Sequence, residues 1–144
     1  MKEVAKYSRC FVCGLENDSG LQARFFFDGR RALTSITADE RFVGYHGIYH
    51  GGIISTLLDE VMIKAILAQD LFAVTAELTV RFLAPVRTGD EVDFSGWIVR
   101  RRGRLYVTEG EARLRTGSLV ATAQAKYIEA DSGLESELRS SVSD

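Results

Sequence analysis

The sequence lacks long apolar runs and a strong excess of charge, and each absence excludes a class of protein. No stretch of about twenty uninterrupted apolar residues is present for a membrane span, and residues 1–9 do not resemble a signal peptide. A net charge of −2 predicts no nucleic-acid partner. We therefore expect a soluble, cytoplasmic protein, and 144 residues suit one domain with its own core.

Cysteine is also scarce: Cys10 and Cys13 form a single C-x-x-C pair. A structural zinc ion usually needs four ligands, and the available completion is His46 and His50, spaced H-x3-H. The gap between the two pairs is far longer than in a zinc finger, and no strand precedes the motif as in a thioredoxin-like redox pair. We therefore favour two reduced thiols that pack an N-terminal turn, and we expect no metal and no bound cofactor.

Proline occurs once, at Pro85, where it closes one of several predicted strands. Alternating or β-type residues between glycine-containing turns indicate these strands. The predicted strands are residues 21–27, 30–37, 73–83, 91–100, 104–115 and 119–128. Asp28-Gly29 is a typical two-residue hairpin turn between the first two.

Between the second and third strands, apolar residues recur at i, i+4 spacing in two adjacent rows and predict a helix from Gly52 to about Gln69. One apolar helix and one antiparallel sheet pack best if the sheet curves around the helix. We therefore predict an α+β fold in residues 20–130. An N-terminal arm at 1–19 precedes it, and a flexible tail at 131–144, with at most a short helix from Leu134 to Leu138, follows it.

The tripeptide His50-Gly51-Gly52 begins this helix, and Asp59 lies about two turns further on. The first N–H groups of a helix have no intrahelical partner, so they attract an anion or a carbonyl oxygen that becomes negative. An apolar helix rarely carries a charge, so Asp59 either serves function or bonds a hydroxyl one turn earlier. Glu60 points about 100° away and is expected to be solvated or paired with Lys64.

These residues resemble the hotdog-fold acyl-CoA thioesterases of the phenylacetate-degradation (PaaI-like) type, over roughly residues 10–130. The resemblance rests on His50-Gly51-Gly52, on Asp59 nine positions after that histidine, and on the strand from Val74 that ends in Phe82-Leu83-Ala84-Pro85-Val86. It implies a sheet wrapped around one long central helix and hydrolysis of an acyl-CoA thioester to free acid and CoA. It also implies homodimers or dimers of dimers, with active sites at the subunit interface.

The resemblance also implies roles for individual residues. The backbone N–H of Gly51 would polarise the thioester carbonyl, and Asp59 would activate the attacking water or attack the carbonyl itself. Thr75 falls where relatives keep a serine or threonine that helps to hold the water.

Further residues are predicted to shape the site. Many relatives carry an asparagine six residues before the histidine, where this chain has Gly44, so that contact is either missing or supplied by Tyr45 or His46. His50 is expected to fix the turn before the helix through a backbone hydrogen bond, with direct substrate contact as the alternative. Gly52 leaves a second stretch of bare backbone for the substrate or for close subunit packing.

The densest charge is the run Arg100-Arg101-Arg102-Gly103-Arg104 at a predicted hairpin tip. Such a run often protects a sheet edge. Coenzyme A carries a 3′-phosphate and a pyrophosphate, however, and Arg101, Arg102 and Arg104 are suited to bind them. Nucleic acid fits less well, because no aromatic residues are interleaved.

Spacing predicts how the site is assembled. Gly51 and Asp59 are eight residues apart, about 12 Å along one helix, whereas a carbonyl oxygen and the carboxylate that serves its attacking water lie about 6 Å apart. Two helices that run antiparallel across a dimer axis remove the mismatch, so we predict Gly51 from one subunit and Asp59 and Thr75 from its partner. The alternatives are a non-catalytic acyl-CoA-binding module and a hotdog hydratase or dehydratase, which needs a histidine placed with a carboxylate.

Overall fold

The computed structural model describes residues 1–143, which form seven strands and two α-helices. The elements are β1 (Lys2–Glu3), β2 (Phe26–Phe27), β3 (Arg31–Thr37), α1 (Gly51–Leu67), β4 (Ala73–Phe82), β5 (Glu91–Arg102), β6 (Leu105–Leu114), β7 (Leu119–Glu129) and α2 (Ser132–Arg139). A 3-10 turn at Glu40–Phe42 lies in the loop before α1. The strands form one antiparallel sheet in the order β1-β2-β3-β5-β6-β7-β4.

The sheet packs around α1, so the predicted α+β hotdog fold is confirmed. Leu57, Leu58, Val61 and Met62 of α1 are fully buried, and each such side chain contributes about 1.5–3 kcal/mol by leaving water. The helix approaches β5 closely at Gly96, where an added Cβ would lie 2.8 Å from the Val61 carbonyl oxygen. Glycine at this position therefore fixes how deeply the helix lies in the sheet.

The first predicted strand is wrong in part, because only Phe26–Phe27 of residues 21–27 pairs in the sheet. The N–H groups of Leu21 and Ala23 each donate to a carbonyl of the N-terminal arm at 2.8 Å. Gln22 between them has a φ of 51°, which a ladder strand does not adopt. These N–H groups therefore bond the N-terminal arm, and not the neighbouring strand of the hairpin that the composition predicted.

The C-terminal segment forms a longer helix than Leu134–Leu138. Asp131 caps α2, since its side chain accepts from the Leu134 N–H at 2.9 Å. Beyond the helix, the Ser143 N–H donates to the Lys6 carbonyl at 2.8 Å, so this segment contacts the N-terminal arm. Neither helix of residues 1–143 has the length and apolar character needed to cross a bilayer.

Candidate active site

His50 caps the start of α1. Its Nδ1 accepts from the Gly52 N–H at 2.8 Å, so His50 fixes this turn through a backbone hydrogen bond, as predicted. An added Cβ at Gly52 would lie 2.9 Å from Nδ1, so the cap requires glycine there. Because Nδ1 accepts, a neutral His50 ring carries its proton on Nε2.

The backbone N–H of Gly51 is the free donor at this helix start. Within residues 1–143 it has no hydrogen-bond partner, whereas the next N–H is taken by His50. It lies beside an open cavity of about 890 Å³ formed by the loop before α1, the start of α1 and the segment after β4. Helix ends of this kind carry partial positive charge, so the cavity suits a carbonyl oxygen that becomes an oxyanion.

Gly44 lies in the same cavity, against the ring of His50. A Cβ at this position would lie 3.3 Å from His50 Cδ2, which is a tight contact. Tyr45 lines the cavity beside it, whereas His46 is exposed and lies outside the lining. Of the two predicted replacements for the asparagine of relatives, the structure therefore brings Tyr45 to the site and not His46.

Two hydroxyl groups hold the carboxylate of Asp59. Tyr127 Oη donates to Oδ1 at 2.7 Å, and Thr75 Oγ1 lies 3.0 Å from Oδ1 and 3.3 Å from Oδ2. Thr56, one turn earlier, instead donates to the Gly52 carbonyl. Asp59 therefore does not bond a hydroxyl one turn earlier. Its Oδ1 accepts from both Tyr127 and Thr75, whereas Oδ2 has only the longer contact with Thr75, at 3.3 Å.

Sequence reasoning missed Tyr127. It lies on β7 directly opposite Thr75 of β4, and its side chain is fully buried against α1. Burial, and then the charge of Asp59, raise the pKa of Tyr127, so this phenol stays protonated as a donor. One signal was available: the alternate positions before it on β7, Ala121, Ala123 and Ala125, are buried alanines, so a large hydroxyl-bearing residue in this row indicates a specific partner.

Glu60 is paired with Lys64, and the alternative that it is solvated is wrong. Its Oε2 lies 3.5 Å from Lys64 Nζ, and the two side chains are 14% and 0% exposed. Burial raises the pKa of Glu60 to about 7, against the charge of Lys64, which lowers it. Lys64 Nζ also donates to the Ala5 carbonyl at 2.6 Å, which ties the N-terminal arm to α1.

Cys10 and Cys13 do not form a metal-ligand cluster with His46 and His50. Across residues 1–143, the group with ligand atoms within 4.8 Å of one another is Cys10, Cys13 and Glu60, so the His46 and His50 completion is not formed. Both cysteines are free thiols.

The arginine run forms the β5–β6 hairpin tip, as predicted, but two of its members are engaged. Arg101 donates to the Glu129 carboxylate at 3.3 Å, and Arg104 donates to the Glu129 carbonyl at 2.7 Å. The side chain of Arg102 is exposed. None of these arginines lines the cavity at Gly51.

Comparison with solved structures defines the class of fold. A hypothetical thioesterase from Streptococcus pneumoniae TIGR4 with coenzyme A has a TM-score of 0.71 at 17% identity, over 75% of this chain and 85% of that chain. The E. coli PaaI protein of the phenylacetic acid degradation operon has 0.68 at 24%, over 72% and 80%. A Streptococcus mutans UA159 protein bound to acetyl CoA has 0.67 at 21%, over 75% and 88%. These likenesses show the hotdog thioesterase fold.

Sequence comparison defines the family. The thioesterase superfamily model matches residues 46–121, more than half of the chain, so this protein belongs to the thioesterase superfamily. A curated relative, the 3-hydroxyacyl-[acyl-carrier-protein] dehydratase FabZ of Campylobacter lari, is 41% identical over 51 residues. That match spans 35% of this chain and 34% of the dehydratase.

Proposed function

We propose that the protein hydrolyses acyl-CoA thioesters at sites shared between two subunits of a homo-oligomer. One observation supports this proposal: the same helix offers two reactive groups. The Gly51 N–H is free and lies beside an open cavity, and the Asp59 carboxylate is held by two hydroxyls. Thioester hydrolysis needs these two groups, an oxyanion donor and a base or nucleophile. The neighbours that hold coenzyme A and acetyl CoA support this substrate class.

In the proposed reaction, Asp59 accepts a proton from water through Oδ2 as the water oxygen attacks the thioester carbon. The carbonyl oxygen gains negative charge and accepts a hydrogen bond from the Gly51 N–H, which is worth about 3 kcal/mol of barrier. The carbon–sulfur bond then breaks, and CoA leaves as the thiolate. The alternative is direct attack by the carboxylate, followed by hydrolysis of the anhydride.

The edge strand β4 supports assembly of the site from two subunits. Within residues 1–143, β4 pairs with β7 on one side, and its other edge is unpaired. Val74, Phe82 and Leu83 at this edge are 38%, 51% and 49% exposed, which is unusual for large apolar residues on an open edge. We infer that a second copy covers this edge and brings its own Asp59 and Thr75 to the cavity at Gly51.

Phosphate recognition is assigned first to Arg102, because its exposed side chain is at the hairpin tip. Arg101 and Arg104 would have to leave Glu129 to contribute. Gly52 remains a proposed substrate contact through backbone approach. His46 lies outside the cavity lining, so its predicted substrate contact is not retained in this proposal.

The oxyanion role is tested with a matched pair, Gly51→Pro and Gly51→Ala. Proline fits the first position of a helix, where it removes the N–H without breaking an intrahelical hydrogen bond. His50 has φ −65° and ψ 128°, the extended conformation that a residue before proline prefers. Alanine keeps the N–H, and its Cβ would lie 3.5 Å from the Phe82 ring, an ordinary contact.

We expect Gly51→Pro to lower kcat for thiol release from acyl-CoA by about 10²- to 10³-fold, and Gly51→Ala to lower it only a few-fold. Equal activities in the two variants would contradict the oxyanion role. A heterodimer of a Gly51→Pro subunit with an Asp59→Asn subunit tests sharing. A shared arrangement leaves one intact site and about half of the wild-type activity, whereas an arrangement within one subunit leaves none.

Dehydration of a 3-hydroxyacyl thioester is the second candidate, favoured by the FabZ match. It would use His50 as the acid/base group, through Nε2. Enoyl thioester formation that is lost in His50→Gln, with no thiol release, would favour it. Tight acyl-CoA binding without either reaction would favour a binding module.

A further inference from the structure

A second group of reactive side chains lies where the N-terminal arm crosses α1. Cys10 and Cys13 occupy one tight turn, closed by the Gly14 N–H on the Cys10 carbonyl at 2.8 Å. Their sulfurs and the Glu60 carboxylate lie within 4.8 Å of one another. Lys64 Nζ lies 3.4 Å from Cys13 Sγ, so an ammonium group faces the thiols.

The two cysteines differ in access and in charge. Cys10 is half-buried and lines a cavity of about 480 Å³, whereas Cys13 is fully buried behind it. Hydrogen bonds from the Cys13 side chain and from the Val12 N–H, together with Lys64, lower the pKa of Cys10 to about 5. Its bond to Cys10, and burial, raise the pKa of Cys13. Cys10 is thus the more accessible of the two thiols and the one whose pKa is lowered, and Cys13 lies buried beside it.

The same groups do not suit a metal ion. Lys64 Nζ lies 3.4 Å from Cys13 Sγ and 3.5 Å from Glu60 Oε2. A positive charge therefore already lies between two of the three candidate ligands, and a divalent cation would have to displace a fully buried ammonium group. Donors around the two sulfurs are instead of the kind that activates thiols. Lys64 Nζ and the Tyr7 N–H each lie 3.4 Å from Cys13 Sγ, and the Val12 N–H donates to Cys10 Sγ at 3.3 Å.

We propose that Cys10 and Cys13 form a thiol–disulfide exchange site whose substrates are low-molecular-weight disulfides, with Cys10 as the attacking thiolate and Cys13 as the resolving thiol. The two thiols lie close enough for side-chain rotation to bring the sulfurs to bonding distance, about 2.05 Å. The cavity that Cys10 lines is bounded by Ser8 and Arg9 of the arm as well as by Val74 and Thr75 of β4, and through it a small disulfide reaches the half-buried Cys10 sulfur.

The exchange balances without any other reactant. The Cys10 thiolate attacks one sulfur of a disulfide R–S–S–R, forming a Cys10–S–S–R bond and releasing RS⁻. The Cys13 sulfur then attacks the Cys10 sulfur, its proton passes to the second leaving thiolate, and RSH departs. The two cysteines are oxidised by two electrons, and the disulfide is reduced to two thiols.

The test uses the intact 144-residue chain and oxidised glutathione as the probe. After incubation and acid quenching, intact-mass spectrometry should show that wild type has lost two hydrogens, with Cys10 and Cys13 joined in one peptide. Cys13→Ser should trap one glutathionyl group on Cys10, whereas Cys10→Ser should gain none. Circular dichroism of both variants checks folding, and the wild-type measurement does not depend on either variant.

Wild type that keeps both thiols in excess oxidised glutathione would overturn the proposal. Equal glutathionylation of the two variants would also overturn it, because the roles would then not differ. Purified protein that holds one equivalent of zinc, with both thiols protected until a chelator is added, would overturn it in favour of a metal site.

Discussion

Asp59 and Glu60 are consecutive carboxylates on α1, and the fold places them in two different chemical settings. Asp59 faces β4 and β7, where neutral hydroxyls of Thr75 and Tyr127 donate to it. Glu60 faces the N-terminal arm, where it lies next to Lys64 and Cys10. The difference arises from about 100° of rotation between neighbouring helix residues.

Neutral donors and a charged partner have different consequences for a carboxylate. Two hydroxyls orient Asp59 without neutralising it, so its charge remains for chemistry. Glu60 is paired with a fully buried lysine, and its own burial raises its pKa to about 7. The ionisation of Glu60 is therefore coupled to folding. We therefore propose that Asp59 takes part in the reaction and that Glu60 contributes to stability and to the thiol site. Four experiments test this division of roles.

The largest effect is expected from Asp59→Asn. The amide accepts no proton and does not attack a thioester, so hydrolysis should fall by about 10⁴-fold, the upper end of a general base's contribution. The matched variant is Glu60→Gln, one position along the same helix, and it should stay within a few-fold of wild type. Thiol release from acyl-CoA under saturating substrate measures both, and reversed effects would exchange the two roles.

The second effect is on stability. Lys64→Met keeps most of the side-chain volume but leaves Glu60 buried without its cation, so the free energy of unfolding should fall by about 4 kcal/mol. The control is Lys126→Met, which removes an exposed pair with Glu77 at 3.9 Å and should cost less than about 1 kcal/mol. Urea denaturation measures both, and similar losses would show that burial does not decide the value of the pair.

Much of the fold could be predicted from the sequence, because it follows from local periodicity. The two apolar rows of α1 and the alternation in β4 to β7 require only neighbouring residues to recognise. Residues 21–25 could not be placed in this way, since carbonyls of the arm compete for their N–H groups. The serine-rich composition after Asp131 likewise concealed a helix as long as Ser132–Arg139.

The residues of the candidate site likewise fall into those that could be predicted from neighbouring positions and those that meet only in the folded chain. The helix start, Asp59 and the 12 Å spacing that favours a shared site were all available from sequence positions within one helix. Tyr127 was not, because it is 68 residues from Asp59 and meets it only through the register of β4 with β7. The burial of Lys64 also depends on a distant partner, Ala5 of the arm.

The third effect is a pH dependence of stability that comes from Glu60. Its folded-state pKa is about 7, against 4.5 for an unperturbed glutamate. The folded protein keeps a proton that the unfolded chain loses, so this contribution to stability is complete below about pH 4.5 and is lost as pH rises through 7. The change should be about 3 kcal/mol.

Denaturation of wild type and Glu60→Gln at several pH values isolates this change, because the glutamine does not titrate. Cys10, whose pKa is lowered to about 5, has the opposite sign and is present in both proteins. Tyr7, whose pKa is raised chiefly by burial, and Lys64 are also present in both proteins. Parallel stability curves would contradict the assignment of Glu60 to folding.

The smallest effect is expected from Tyr127→Phe, which removes the shorter of the two hydroxyl bonds to Asp59. A hydrogen bond to a charged group is worth about 2 kcal/mol, so kcat should fall roughly thirtyfold with little change in KM, since the carboxylate is then held by Thr75 alone. The control is Tyr106→Phe, the cross-strand neighbour whose hydroxyl donates to Glu129 at 3.3 Å. Tyr106→Phe should keep kcat within about twofold of wild type. Equal kcat values in the two variants would mean that orientation of Asp59 does not depend on Tyr127, and would leave Thr75 as the positioning residue.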